Sequence, residues 1–249
     1  MIDTPVYTRR SEFLAGMKDT IPMIVGAIPF GLIFGAYAIT ESGLSAGAVM
    51  GLSLFVFAGS SQFIGAQLVT QGLAMGIIIL TTLVINLRHA LYGASLAPYI
   101  GRFPQRWLLP LAFWLTDETY AVVIRRYQQN DDSPHKHWYH LGSSVLMYVN
   151  WNLCTAIGIL AGQQVEGLGQ LGLDFAMVVT FTGIIVPLII DRPMLICAGV
   201  AAVTAVLAND LPNKLGLMMA AVLGILAGFL VETWQINKGQ AVPVKDAVT

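Results

Sequence analysis

The sequence predicts an all-α, polytopic membrane protein, and three observations carry that prediction. Of 249 residues, 56% are hydrophobic and only 11% charged, against about 25% charged in an ordinary soluble domain. Long stretches carry no charge, the longest from Ser42 to Leu87, whereas a spanning helix needs about 20 apolar residues. Within these stretches apolar residues run continuously and do not alternate. That excludes a β-barrel, and because lipid offers the backbone no hydrogen bonds it leaves helices.

About eight membrane segments follow by length: 20–40, 46–70, 72–98, 107–126, 140–163, 173–190, 194–208 and 215–235. About seven is the alternative, because Asp191-Arg192-Pro193 is a tight turn and 193–208 is short. The chain divides into an N-terminal segment, 1–19, one transmembrane domain, 20–236, and a tail, 237–249. The polar stretch Met1–Asp19 leads into a first span, not a removed signal peptide. No sequence repeat is convincing; an inverted structural repeat of the transporter kind stays open.

Lysine and arginine set the orientation. With the N-terminus inside, nine basic residues face the cytoplasm: Arg9, Arg10, Lys18, Arg125, Arg126, Lys136, Arg192, Lys238 and Lys245. Three, Arg102, Arg106 and Lys214, fall outside. Both termini are therefore expected in the cytoplasm, and the protein in a bacterial inner membrane. The net charge of −1 gives no reason to expect nucleic acid. Cys154 and Cys197 lie in apolar runs and read as free thiols. No nucleotide-binding loop, His-Glu-x-x-His or Gly-x-Ser-x-Gly is present, so neither ATP hydrolysis nor another enzymatic activity is expected. No cofactor or metal is expected either; His135, His137 and His140 lack a full ligand spacing.

Polar groups inside the segments mark the candidate site. Ala58-Gly59-Ser60-Ser61-Gln62-Phe63 interrupts the second segment. Glycine and paired serines weaken a helix there, and a broken helix exposes backbone groups to substrate. Gly59, Ser60, Ser61 and Gln62 are substrate-binding candidates, the alternative being a kink whose serines bond their own helix. In the third segment Asn86, His89 and Gly93 share one helical face, and Arg88, Tyr92 and Ser95 the next. Asn86 and Tyr92 join the substrate candidates. Arg88 stays charged at a cost of about 2.5–3.5 kcal/mol on insertion scales, so it pairs, snorkels or binds an anion. His89 reads either as a coupling residue or as a satisfied interior histidine. In the fourth segment the adjacent Asp117 and Glu118 point about 100° apart on a helix. One can pair with Arg88 while the other faces water and carries a proton. Asn150 and Asn152 read as interhelical glue or substrate contacts. The ridges Ala27-Gly31-Gly35 and Gly216-Ala220-Gly224-Gly228 permit close helix packing, internal or with a partner.

Ser61-Gln62-Phe63, Leu87-Arg88-His89-Ala90-Leu91-Tyr92-Gly93 and Thr116-Asp117-Glu118, in this order and spacing, resemble the AzlC family from about Phe13 to Trp234. The resemblance implies the large subunit of an exporter of valine, leucine and isoleucine, with methionine a further substrate. It also implies a small membrane partner, AzlD, of about four spans. Some members carry Asp where this chain has Asn86, which removes that position as proton carrier and leaves Asp117 or Glu118. Proton antiport is the expected mechanism; a channel-like or passive permease is the alternative.

Overall fold

The structure, a computed structural model, describes residues 7–129, 131, 133–164, 182, 186, 189–211 and 215–238, with backbone alone at Leu217 and Met218. Every regular element among them is helical. The chain divides into two compact units, Met1–Met177 and Val178–Thr249.

In the first unit, α1 (Arg9–Thr40) opens on a capping box between Thr8 and Ser11, and Pro22 and Pro29 lie inside it without ending it. Helix α7 (Lys136–Gln164) lies along it. Thr20 donates to Ser143 at 2.7 Å, Gly31 faces Cys154, and Gly35 faces Gly158. Partner numbers rise together, so the helices are parallel. A Cβ at Gly16, Gly35, Gly142 or Gly158 would collide with the facing backbone; glycine sets this close approach. The small-residue ridge of the first segment is thus spent on internal packing.

Residues 46–70, expected to cross once, instead fold back. Helix α2 (Ala46–Gly51) continues as a π-helical turn, Leu52–Val56, and Phe57 takes a left-handed φ of 45°. Extended Ala58 then starts α3 (Gly59–Thr70). The first arm descends along α7, from Ser53 beside Thr155 to Phe57 beside Tyr148. The second climbs along α1, from Gly59 beside Phe30 to Phe63 beside Phe34 and Tyr37. This is a hairpin entering from the end where α1 finishes. A charge-free run of 25 residues meets the length rule whether it crosses or returns, so hydropathy does not separate the two.

Helix α4 (Met75–Ile100) runs antiparallel to α3, with Ser61 beside Asn86 and Gly65 beside Thr82. It therefore runs antiparallel to α1. Residues 107–126 form a second hairpin, again where one crossing was expected. Helix α5 (Gln105–Phe113) follows α7, from Trp107 at Trp138 to Trp114 at Tyr148. Helix α6 (Asp117–Gln128) returns along α4, through Arg88–Asp117, Tyr92–Tyr120 and Tyr99–Tyr127. Arg102 and Arg106, expected outside, consequently lie at the end of the bundle that holds Arg9, since Phe103 packs on His137 and Arg9 on Trp138.

The two hairpins repeat. Asp117 follows Gly59, and Gln128 follows Thr70, by the same 58 residues. The same offset relates Phe30, which touches the start of α3, to Arg88, which touches the start of α6. Because α1 and α4 are antiparallel and the hairpins enter from opposite ends, the repeat is inverted. Its sequence echo is short: Phe34-Gly35-Ala36 against Tyr92-Gly93-Ala94.

In the second unit, α8 (Arg192–Leu207) is capped by Asp191, which accepts from Met194 N at 2.8 Å. Helix α9 (Leu215–Asn237) packs antiparallel on it. Gly216 faces Ala208, Gly224 faces Ala201, and Gly228 faces Cys197 and Pro193. This ridge too is occupied internally. The expected segment 173–190 lies almost wholly outside the described residues, as does the tail beyond Lys238. Cys154 and Cys197 are free. Helices α1, α4, α7 and, in α9, Met219–Asn237 are long and apolar enough to cross a membrane.

Candidate functional site

The hairpin tips converge on the middle of the first unit. Tyr148 of α7 stands between them, its ring 4.9 Å from Phe57 and 5.5 Å from Trp114, its hydroxyl donating to the Leu54 carbonyl at 3.1 Å. From the tips α3 and α6 each begin, so two helix N-termini, the positive ends of their dipoles, face the interior.

The α3 side is neutral and sealed. Gln62 is 1% exposed. Its amide donates to Ser53 at 2.9 Å and accepts from the Trp151 indole at 3.1 Å, while the Ser53 and Thr155 hydroxyls share a hydrogen bond at 2.9 Å. The partner that a buried amide requires is thus within the protein. Ser61 donates to Asn86 Oδ1 at 2.7 Å and ties the hairpin to α4. A Cβ at Gly59 would press on Phe30 and Trp151, so glycine lets the tip seat there. Ser60 is half-buried beside it.

The α6 side is charged. Thr116 caps the helix by accepting from Thr119 N, and Asp117 and Glu118 occupy its first turn, where the dipole favours negative charge. Asp117 meets Arg88 at 2.5 Å; Glu118 makes no ion pair among the described residues and stays half-buried. The pair is incomplete: among the described residues Arg88 Nε, Asp117 Oδ1 and Trp114 Nε1 are buried without a hydrogen-bond partner, although the Tyr92 hydroxyl lies close enough to Asp117 to interact with it. Tyr92 stacks on Tyr120 at 4.6 Å, and Tyr120 bonds Ser95 at 2.8 Å. His89 bonds the Asn86 carbonyl of its own helix at 3.2 Å.

Asn86, Arg88, His89 and Tyr92 are therefore assembled with Asp117 and Glu118 along α4 and α6, and Ser61 joins them through Asn86. Gln62 belongs to a separate network. Among the described residues the asparagines of α7 bond only within their own helix, Asn152 donating to the Tyr148 carbonyl and Asn150 accepting from Cys154. Tyr148, Trp151, Trp114, Ser53 and Thr155 went unnoticed as site residues. Trp151, between two suspected asparagines, carried the only usable signal.

A second cluster lies at the basic end. Glu12 and Arg126, 3% and 7% exposed, form an ion pair. Arg126 also holds Asp131 at 2.6 Å, and Lys136 reaches Asp131 at 3.1 Å. Burial alone would raise the Asp131 carboxyl, but hydrogen bonds from Lys136, Arg126 and Ser133 outweigh it and hold the pKa at about 2.

An apolar helical bundle with inverted hairpins around a half-buried charge pair defines a polytopic membrane protein of internally repeated design. Residues 22–165 match the family described as AzlC protein, and the chain belongs to the AzlC family. The inner membrane protein YgaZ of Escherichia coli K12 is 28% identical over 90% of this chain and 93% of its own length. An uncharacterized membrane protein of Archaeoglobus fulgidus is 31% identical over 91% and 97%. The branched-chain amino acid transport protein AzlC of Bacillus subtilis is 29% identical over 70% and 68%. No solved structure matches the chain.

Proposed function

We propose that this chain is the large subunit of a secondary transporter exporting valine, leucine, isoleucine and methionine, with its central site where the hairpin tips meet α4. One observation carries the proposal: Arg88 and Asp117 each keep a buried polar atom without a partner. A zwitterionic amino acid supplies what both lack, its carboxylate for Arg88 Nε and its ammonium for Asp117 Oδ1. The aromatic rings of Phe57, Trp114 and Tyr148 offer an apolar wall. The name of the Bacillus subtilis relative agrees with this substrate class.

Protonation of Asp117 removes the carboxylate that holds the substrate ammonium, so proton and substrate exclude each other at this site; that exclusion links export to inward proton movement. The orientation follows from charge. Of the lysines and arginines between residues 1 and 164, Arg9, Arg10, Lys18, Arg102, Arg106, Arg125, Arg126 and Lys136 belong to the basic end, Arg88 to the middle, and none to the opposite end. The basic end is therefore the cytoplasmic one in an inner membrane, and moving Arg102 and Arg106 there strengthens the bias. The AzlD-type partner rests on the family resemblance, since both small-residue ridges are filled internally.

The test is transport by the chain, co-purified with an AzlD-like subunit, in vesicles loaded with radiolabelled valine. Saturable efflux that an imposed proton gradient drives against a valine gradient is expected. Efflux that only follows the valine gradient and never saturates identifies a passive pore instead.

A further inference from the structure

At the basic end α1 and α6 enclose a cavity of about 780 Å³, within the range of about 300–1,000 Å³ typical of small-molecule sites. Glu12, Arg126 and Asp131 at its wall are consumed in their own ion pairs. Three other lining charges, Lys18, Asp19 and Arg125, make no ion pair among the described residues. Asp19 is oriented: Tyr139 donates its hydroxyl to Asp19 Oδ2 at 2.7 Å, which leaves Oδ1 free. Pro22, also in the lining, has no N–H, so the Lys18 carbonyl loses its helical donor and becomes a second acceptor beside Asp19. The same lining carries the exposed cations of Lys18 and, from α6, Arg125, with Pro22, Met23 and Val122 as its apolar part.

We infer that this cavity is a loading site for a zwitterionic, apolar amino acid, distinct from the central site. Asp19 Oδ1 and the Lys18 carbonyl take the ammonium, Arg125 takes the carboxylate, and Met23 and Val122 take the branched side chain. An acid from α1 and a base from α6 in one lining suit a zwitterion, whereas a purely anionic ligand such as a lipid phosphate would leave Asp19 repelling it. The inference rests on the proposed substrate class but not on the Arg88–Asp117 pair.

The experiment measures radiolabelled L-leucine binding to the full chain, co-purified with an AzlD-like subunit in phosphatidylcholine nanodiscs, with Arg88→Gln to disable the central site. Leucine binding should persist in Arg88→Gln. Adding Asp19→Asn or Arg125→Gln should weaken it at least tenfold. Competition by 4-methylpentanoate, which lacks the amine, should be insensitive to Asp19→Asn; competition by 3-methylbutylamine, which lacks the carboxylate, should be insensitive to Arg125→Gln. Met23→Trp in the otherwise unaltered chain fills the apolar wall and should slow leucine loading about tenfold, which keeps the test open if Arg88→Gln does not fold. Leucine binding within twofold of the parent in both charge variants overturns the loading site and leaves the central one. So does binding that Arg88→Gln alone abolishes. Arg125-dependent binding of phosphatidylglycerol that leucine does not displace assigns the cavity to lipid. Absence of leucine binding to the unaltered chain overturns the loading site and the proposed function together.

Discussion

Arg88 is the one lysine or arginine of the first unit away from the basic end, and Asp117 answers it at 2.5 Å. Removing one partner of a fully buried pair costs about 3–5 kcal/mol. Here the side chains are 28% and 35% exposed, so Arg88→Gln should cost less than that, and adding Asp117→Asn should return part of the loss in thermal unfolding. Asp117→Asn alone should keep valine exchange across vesicles but lose the response to a pH gradient; full pH-driven efflux in both Asp117→Asn and Glu118→Gln would exclude this pair from coupling. This charge pair was legible in the sequence because an arginine within an apolar segment is too costly to stand alone. The Glu12–Arg126–Asp131 cluster was not, since all three residues flank apolar runs and pass for solvated loop charge. Asp131, held at about 2, has a folded-state pKa below the ordinary value of about 3.9. Its contribution is present above that ordinary value and is lost as pH falls from about 4 toward 2. Asp131→Asn should therefore flatten the fall in unfolding temperature across that window and lower stability at neutral pH.

At the scale of elements, α1 and α7 are the frame against which both hairpins fold. Their contact is made by glycines whose missing side chains admit the facing backbone. Gly158→Leu has no flexible neighbour to displace and should cost at least the about 1–3 kcal/mol of ordinary overpacking, read as a lowered unfolding temperature; an unchanged one contradicts the packing. The broken second segment was legible, because Gly59, Ser60 and Ser61 weaken a helix. That its two halves return to the same end was not, since hydropathy records length and is blind to direction. The break at Trp114–Thr116 contains no glycine. Its signal was Thr116 followed by two acids, a helix-start pattern that went unused within an expected span. An inverted repeat was open from the sequence but could not be located there, because its halves differ where they matter: Phe30 and Gly59 in one occupy the places of Arg88 and Asp117 in the other.

At the scale of the first unit, direction sets the architecture: α1 and α7 run one way, α4 the other, and one hairpin enters from each end. This arrangement gathers eight basic residues at a single end, the end proposed above to be cytoplasmic. It also brings two half-helices to the middle around the one charge pair. The alternative, two full crossings at 46–70 and 107–126, places Arg102 and Arg106 outside and parts Phe103 from His137. Single cysteines in the full chain, labelled in intact cells with a membrane-impermeant maleimide, separate the two. Cysteines replacing Gly43 and Gly72, at the opposite end, should label from outside, while those replacing Gln105 and Ser133 should label only after the membrane is opened. External labelling at position 105 with none at 133 would contradict the opposed hairpins and restore the crossing of 107–126.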